Sequence, residues 1–272
     1  MAPDFPVPTA QTVAESLHEL RAQQPLVQCL TNIVVAQWTA NVLLAVGAAP
    51  AMVDNPHEAG AFAAIAGGVL INLGTPYDDT TAGMTGAVAS ASACGTPWVL
   101  DPVAAGAAAW RTEVGLALLE SATPRIIRGN ASEILALAGG AGGKGVDSVD
   151  SPQAALQVAR TLALRHGTTV AVSGPVDHLT DGHRVVTVAN GHPLMTRVTG
   201  VGCALGALMA AFAAVLEDGL LAATAATAVL TVAADHAALT AQRPGSFAVA
   251  LLDELDALSP ELLAADVRLG RP

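Results

Sequence analysis

The sequence predicts an α/β fold in which a mostly parallel central sheet carries helices on both faces. Three observations lead to this prediction. Short β-rich runs alternate with Ala-rich segments of helical spacing, apolar residues make up 52% of the 272 residues, and aromatic residues make up only 3%. Such alternation is typical of a parallel sheet that is covered on both faces. A core of Ala, Val and Leu suits closely packed layers of helix on sheet.

Five short runs are predicted to be strands, and three segments between them are predicted to be helices. The predicted strands are Val69–Leu73, Trp98–Val103, Arg125–Arg128, Thr168–Ser173 and Arg184–Val188. The predicted helices are Glu113–Leu119, Ser132–Leu137 and Pro152–Arg165. No linker or repeat divides the chain, so we expect one domain over residues 1–272. Residues 1–10, with prolines at positions 3, 6 and 8, are expected to form a flexible arm.

Charge and cysteine content argue against several classes of function. The formal net charge is −11, which disfavours general binding to nucleic acid or to an anionic membrane. The three cysteines have no metal-ligand spacing and the N-terminus has no secretion signal, so a reduced, cytoplasmic compartment is expected. Apolar stretches at 22–53, 203–216 and 219–234 are too short, or too rich in polar and small residues, to predict a membrane span. We expect them in a buried core.

Polar residues stand at the carboxyl ends of the predicted strands, where ligands bind in sheets of this kind. They are Asn72, Gly74, Asp101, Arg128, Asn130 and Ser173. Asp101 ends an apolar strand and therefore needs a partner or a function. Glu133 lies near a predicted helix start, and two carboxylates at one edge would suffice for Mg²⁺, which keeps several waters. The segment from Asn130 to Glu133 would equally form a plain helix N-terminal cap.

A glycine-rich turn, Thr199-Gly200-Val201-Gly202-Cys203, precedes a long apolar helix. The glycines allow close approach to the first N–H groups of that helix, which would make an anion hole for a phosphoryl group. A tight loop without a ligand is the alternative. Because a helix N-terminus lowers the pKa of a thiol, Cys203 is a candidate base. The alternative for Cys203 is a small packing residue.

The segment Gly139–Gly145, GGAGGKG, contains the only lysine of the chain, Lys144. It does not match a nucleotide-binding P-loop. Ala138 takes the place of the first glycine of that motif, and Gly145 takes the place of the Ser or Thr that ligates magnesium. We expect a flexible loop here.

Six segments together resemble the signature segments of the hydroxyethylthiazole kinase family, thiamine-salvage enzymes of the ribokinase-like superfamily. In order from Thr31 to Cys203, they are TNIVVAQWTANVLLAVGAAPAM, DPVAAG, IIRGNASEI, KGVDS, VAVSGPVDHLTDG and NGHPLMTRVTGVGC. The resemblance implies a ribokinase-like three-layer sandwich. It implies ATP-dependent phosphorylation of the primary alcohol of 4-methyl-5-(2-hydroxyethyl)thiazole, with Mg²⁺. It also implies a homotrimer with active sites between subunits.

The resemblance further implies roles for nine residues, which include a methionine and an asparagine that would look ordinary by themselves. The residues expected to lie at the thiazole are Met52, Gly200 and Asn32. Those expected to bind ATP are Arg128 and Ser173, and those expected to organise Mg²⁺ are Asp101 and Glu133. The expected catalytic position is Cys203, with Gly202 beside it, where ribokinase relatives carry an aspartate.

Two departures from the family pattern keep a binding protein without turnover open as an alternative. The family usually reads DPVGAGAT, whereas this chain has Ala104 and Ala108; it usually reads TGTGC, whereas this chain has Val201. Backbone donors survive these changes, so we expect activity to be retained. The alternatives are a related small-alcohol kinase, such as one acting on hydroxymethylpyrimidine, a ribokinase-like dehydratase of hydrated nicotinamide cofactors, and a vitamin-precursor binding protein without turnover.

Overall fold

A computed structural model describes residues 5–139 and 152–271 of the chain. Within these ranges the strands are β1 (Leu26–Leu30), β2 (Ala49–Ala51), β3 (Gly68–Asn72), β4 (Trp98–Asp101), β5 (Ile126–Asn130), β6 (Thr169–Ser173), β7 (Asp177–Thr180), β8 (Val185–Val188) and β9 (Leu269–Gly270). They form one sheet in the order β2-β1-β3-β4-β5-β6-β7-β8-β9. The pairs from β2 to β6 are parallel and those from β6 to β9 are antiparallel.

The helices alternate with the parallel strands and then follow one another near the C-terminus. They are α1 (Ala10–Gln23), α2 (Ala36–Val46), α3 (Ala59–Ala63), α4 (Asp78–Cys94), α5 (Ala109–Ser121), α6 (Ala131–Leu137), α7 (Pro152–His166), α8 (Val201–Val215), α9 (Gly219–Thr240), α10 (Pro244–Ala257) and α11 (Pro260–Asp266), with a 3₁₀ helix at Pro193–Arg197. Side chains that favour helix starts explain several boundaries: Thr9 caps α1, Asp218 caps α9 and Ser259 caps α11.

The helices cover both faces of the sheet, because successive residues of a strand point to opposite faces. In β3, Leu70 belongs to an apolar cluster with α1, α2 and α8 to α11. Val69 and Ile71 belong to a second cluster, with α3 to α7. The three-layer α/β sandwich is therefore confirmed. Helix α9 is long and apolar enough to cross a membrane by composition, but 83% of its apolar window is buried in the domain, where it serves as a core helix.

The structure corrects several details of the sequence prediction. The five predicted strands and three predicted helices are present with ends shifted by a few residues, but the last predicted strand, β8, is antiparallel. In the described part of the expected arm, Arg184 donates a hydrogen bond to the carbonyl of Pro6 and its guanidinium lies over the Phe5 ring; the flexibility of the arm stays a prediction. Residues 1–4 of the arm, and the part of the glycine-rich loop that contains Lys144, lie outside the described residues.

Candidate functional site

The polar strand ends meet at one edge of the sheet, as the sequence predicts. Parallel pairing places Asn72, the last residue of β3, opposite Asp101, the last residue of β4. The same pairing places Asn130 of β5 opposite Ser173 of β6. All four strands run in one direction, so their carboxyl ends share this edge.

Asp101 lies at the centre of this edge and is fully buried. Arg128 Nη1 lies 3.2 Å from its Oδ1 and 3.3 Å from its Oδ2, and Asn72 Nδ2 donates to Oδ2 over 2.7 Å. Burial raises the pKa of Asp101 to about 6, although Arg128 acts in the opposite direction. Asp101, which ends an apolar strand, therefore has hydrogen-bond partners in Asn72 and Arg128. Asp101 and Arg128 form a buried ion pair.

Arg128 connects this pair to the next strand. Its Nη2 donates to Ser173 Oγ over 3.3 Å, so the two residues expected to bind ATP are in contact. Its Nε is buried without a hydrogen-bond partner in the described structure. A guanidinium held in this way presents a fixed positive charge at the edge of the sheet.

The glycine-rich turn brings the start of α8 against Arg128. Gly200 is the N-cap, with φ +93°, and a Cβ at this position would lie 2.6 Å from Val35 and 3.0 Å from Trp38. The first intrahelical bond runs from Ala204 N to Gly200 O, so the N–H groups of the three residues between them precede the helical ladder. The position thus requires glycine, and it leaves donors at a positive helix end for an anion.

Cys203 lies at the third position of α8, and its Sγ is 3.5 Å from Nδ2 of Asn32. Burial raises the pKa of this thiol, and the nearby charge of Asp101 raises it further. The expectation of a pKa lowered by the helix N-terminus is therefore wrong in direction, because burial and a buried carboxylate outweigh the other influences.

Glu133 caps α6, which confirms the simpler of its two sequence-based interpretations. Its Oε2 accepts from Asn130 N over 2.8 Å, and Asn130 Oδ1 accepts from Glu133 N over 3.0 Å. Its Oε1 also accepts from Ala104 N over 2.9 Å, which ties α6 to the loop that follows Asp101. The negative charge of Glu133 contributes to the raised pKa of Asp101, so the two carboxylates are close enough to interact.

These carboxylates do not form a metal cage of their own. Within the described ranges, no group of three or more His, Cys, Asp or Glu side chains is arranged to hold a metal ion. Each oxygen of Asp101 and Glu133 already accepts a hydrogen bond, which leaves further lone pairs free. This donor set fits a cation that keeps most of its waters and takes its other ligands from a phosphate compound.

A cavity of about 620 Å³ opens beside the start of α8. Arg128, Ser173 and Gly202 contribute to its polar wall, and Leu205 and Leu230 contribute to its apolar wall. Cavities of this size and mixed lining are typical of small-molecule sites. The arrangement can therefore hold the apolar part of a ligand while Arg128 and the helix N-terminus hold an anionic part.

Comparison with known protein families identifies the family of this chain. A model of the hydroxyethylthiazole kinase family matches residues 17–261. The chain belongs to the hydroxyethylthiazole kinase family. The family resemblance seen in the sequence is thus confirmed.

Relatives of this family cover nearly the whole chain. A hydroxyethylthiazole kinase of Clavibacter sepedonicus is 59% identical over 260 residues, which cover 95% of this chain and 94% of the relative. The solved structure of a hydroxyethylthiazole kinase protein from Pyrococcus horikoshii has a TM-score of 0.88 and 39% identity, covering 96% of this chain and 98% of that one. A ribokinase-like superfamily protein from Enterococcus faecalis has a TM-score of 0.64 at 11% identity, covering 93% and 96%, and shares the fold.

In this hydroxyethylthiazole kinase family member, the residues implied by the resemblance are not all gathered together. Asn32 reaches Cys203, but Met52 follows the edge strand β2, is 38% exposed and is not part of the described cavity wall. The loop after Met52 is held by Gln28, whose Nε2 donates to Val53 O over 2.8 Å. Met52 is thus partly exposed at the surface of the described structure.

Sequence reasoning assigned no role to Asp177, which the structure places in the wall of the cavity. Its Oδ1 accepts from Gly174 N over 3.0 Å, and burial raises its pKa to about 6. Asp177 begins a strand, whereas the polar residues predicted from the sequence end strands. Its place in the segment VAVSGPVDHLTDG was the only available signal.

Proposed function

We propose that the protein transfers the γ-phosphoryl group of ATP to the primary alcohol of 4-methyl-5-(2-hydroxyethyl)thiazole, as its family name implies, in thiamine salvage. Membership of the family supports this proposal. The observation that carries it is the position of Gly202, in the first turn of α8, beside the buried guanidinium of Arg128 in the wall of the 620 Å³ cavity, where an added Cβ would lie 3.0 Å from Nη2. Backbone donors and a fixed cation would hold a phosphoryl group there.

Arg128 and Ser173 would bind the phosphates of ATP, while the first N–H groups of α8 would stabilise the transferring group. Their mutual contact pre-orients both side chains, so little reorganisation is needed when ATP binds. Val201 changes no backbone donor of this turn, which supports retained activity. Leu205 and Leu230 would contact the apolar surface of the nucleotide base.

Asp101 and Glu133 would organise Mg²⁺ by accepting hydrogen bonds from its waters or by ligating it through their free lone pairs. Bound Mg²⁺ would neutralise charge on the phosphate oxygens during transfer. The raised pKa of Asp101 is consistent with a buried acid that gains from an added positive charge.

The thiolate form of Cys203 would accept the proton of the attacking alcohol, after the thiol has lost its own proton to solvent, with Asn32 holding the substrate beside it. The contact between Asn32 Nδ2 and Cys203 Sγ places a donor next to the thiol. Because the transition state of phosphoryl transfer is loose, the base contributes late and modestly. A small packing role is the alternative that a substitution must test.

We also propose that the protein works in the cytoplasm as a homotrimer of single-domain subunits whose active sites lie between subunits. Met52 and the loop after β1 carry exposed apolar side chains: Ile33 is 70% exposed and Val34 is 65% exposed. Ile33 N donates to Thr75 Oγ1, so this loop adjoins the loop after β3. Exposed apolar patches of this kind mark interfaces. Sedimentation equilibrium of the full chain would contradict the proposal if only monomer were found.

The direct test is phosphorylation of the thiazole alcohol by purified protein with ATP, with Mg²⁺ omitted as a control. We expect ADP release that depends on both the alcohol and Mg²⁺, and a phosphorylated thiazole product detected by mass spectrometry. Hydroxymethylpyrimidine in place of the thiazole tests the related kinase, and hydrated NADH tests the dehydratase. Binding of the alcohol without ADP release under any condition would favour a binding protein and contradict the proposal.

A further inference from the structure

Asn72 lies between the two halves of the proposed site. It ends β3, is 1% exposed, and contacts a side chain on each side. Its Oδ1 accepts from Asn32 Nδ2 over 2.9 Å, and its Nδ2 donates to Asp101 Oδ2 over 2.7 Å. One amide thus joins the residue beside the thiol to the buried carboxylate.

The orientation of this amide is fixed by its surroundings. Gly74 N also donates to Asn72 Oδ1, over 3.0 Å, and a backbone N–H can only donate. A flipped amide would place NH₂ against two donors and its oxygen against the carboxylate of Asp101. Gly74 in turn packs against Asn32, since a Cβ at position 74 would lie 2.5 Å from Asn32 Nδ2. The three contacts therefore support one another.

We propose that Asn72 is a positioning residue for phosphoryl transfer, which sets the Asp101 carboxylate through its NH₂ group and the Asn32 side chain through its oxygen. This inference rests on the proposed kinase function. It assigns the NH₂ end of the amide to the phosphate side of the reaction and the oxygen end to the alcohol side. Substitutions can remove one end of the amide or both, and the two kinds of variant should differ in their effects on kcat and on KM for the alcohol. A purely structural role of Asn72 would not produce this difference.

The variant Asn72→Asp keeps oxygen acceptors for Asn32 and Gly74 but replaces the donor to Asp101 with an oxygen. We expect kcat to fall about 10- to 100-fold, the effect of losing a hydrogen bond to a charged group, while KM for the alcohol changes by less than about threefold. The variant Asn72→Leu removes both ends. We expect a similar fall in kcat together with a rise of at least about fivefold in KM for the alcohol.

Thr224→Val is the matched control, because Thr224 is fully buried and its hydroxyl donates only to Leu220 O of its own helix. We expect it to lower the melting temperature while leaving kcat and both KM values unchanged. Asn72→Ser, which is too short to reach either partner, should follow the pattern of Asn72→Leu and replaces it if that variant does not fold. Calorimetric titration of the thiazole alcohol gives a second readout, and Asn72→Asp should bind it like the wild type.

The outcomes separate this inference from the proposed function. An active wild type with Asn72→Asp and Asn72→Ser at wild-type kcat would overturn the inference alone. The same holds if all the Asn72 variants left both KM values unchanged and lowered the apparent kcat only in proportion to their loss of folded protein. A wild type that neither binds nor phosphorylates the thiazole alcohol would overturn the proposed function and this inference with it.

Discussion

Gly202 lies directly against the guanidinium group of Arg128, so that a Cβ at position 202 would stand 3.0 Å from Nη2 and 3.4 Å from Nη1. These two nitrogens are the ones that contact Ser173 and Asp101. The first turn of α8 therefore packs against the buried ion pair of Arg128 and Asp101. A Cβ at position 202 therefore requires the guanidinium that carries the fixed positive charge to shift by a few tenths of an ångström.

Gly202→Ala should weaken ATP use without unfolding the protein. Alanine is favoured over glycine in a helix by about 0.5–1 kcal/mol, which offsets part of the local crowding. Displacement of Arg128 should disturb hydrogen bonds to charged groups and lower kcat/KM for ATP by about 10- to 100-fold. Steady-state kinetics at varied ATP, together with thermal melting, would measure both effects.

The control for this variant is Gly86→Ala in α4, where an added Cβ would have no neighbour within 4 Å among the residues that the structure describes. It should stabilise the protein by about 0.5–1 kcal/mol and leave the kinetics unchanged. If Gly202→Ala behaved like Gly86→Ala, the start of α8 would not be part of the ATP site.

Cys203→Ala tests whether the thiol acts as a base. Since burial raises the pKa of Cys203, the thiol is protonated at neutral pH, and a rate that depends on it should rise as the pH increases above neutrality. We expect Cys203→Ala to lose this rise and to reduce kcat by about 10- to 100-fold. The measurement is a pH–rate profile of both proteins at saturating ATP and thiazole alcohol.

Cys94→Ala serves as the thiol control, because Cys94 is exposed at the end of α4 and outside the site. It should reproduce the wild-type profile. An unchanged rate and profile in Cys203→Ala would assign Cys203 to packing, and trapping of a phosphorylated thiol would contradict direct transfer.

Much of this edge of the sheet could be predicted from the sequence. Parallel strands are read as short apolar runs, and their carboxyl ends fall together whatever the exact strand boundaries are. For this reason the contact between Asp101 and Arg128 follows from two strand ends that are 27 residues apart in the chain. The glycine-rich turn could also be predicted, because its glycines directly precede a long apolar helix. The structure adds the reason for glycine at position 200, where Val35 and Trp38 leave no space for a side chain.

The remaining features depend on packing that the sequence does not display. The pKa of Cys203 depends on how deeply α8 sits beside Asp101, and a motif gives the helix position without the burial. β9 is only two residues long, and β1 and β2 lie within a long uncharged stretch that has no clear period. The role of Asn72 required the orientation of one amide, which only its three neighbours determine.

Ala104 stands in a left-handed backbone conformation, with φ +64°, in the loop after Asp101. This conformation costs about 1–2 kcal/mol for a residue with a Cβ, which gives a physical reason for the glycine usual at this place in the family. Relief of this strain by Ala104→Gly should outweigh the greater conformational entropy that glycine gives the unfolded chain. We therefore expect the free energy of unfolding to rise by about 1 kcal/mol. Urea unfolding would measure this gain.

Ala108→Gly is the matched control, since Ala108 has φ −117° and is already in an ordinary extended conformation. Glycine there should bring no gain and should cost about 0.5–1 kcal/mol through the unfolded state. Equal effects of the two substitutions would contradict the strain at Ala104. Because Ala104 N donates to Glu133, the same pair of variants also shows whether relief of strain alters Mg²⁺ dependence.

Asp177 should make stability depend on pH in the direction opposite to an ordinary paired carboxylate. Burial raises its pKa to about 6 in the folded protein, above its usual value of 3.8, so the folded state holds the proton more tightly than the unfolded chain. The contribution of Asp177 to stability is therefore lost as the pH rises from about 4 to about 6. Asp177→Asn removes this loss and should be more stable than the wild type at pH 7 by up to about 3 kcal/mol.

Asp181→Asn gives the opposite sign within the same hairpin. Burial alone would raise the pKa of Asp181, but hydrogen bonds from Arg184 and His183 outweigh burial and lower it. The stabilisation from Asp181 is present above its unfolded pKa and lost as the pH falls, so Asp181→Asn should be less stable than the wild type at pH 7. Urea unfolding at pH 4 and pH 7 compares the two variants. A wild type equal to Asp177→Asn at both pH values would contradict a raised pKa at Asp177.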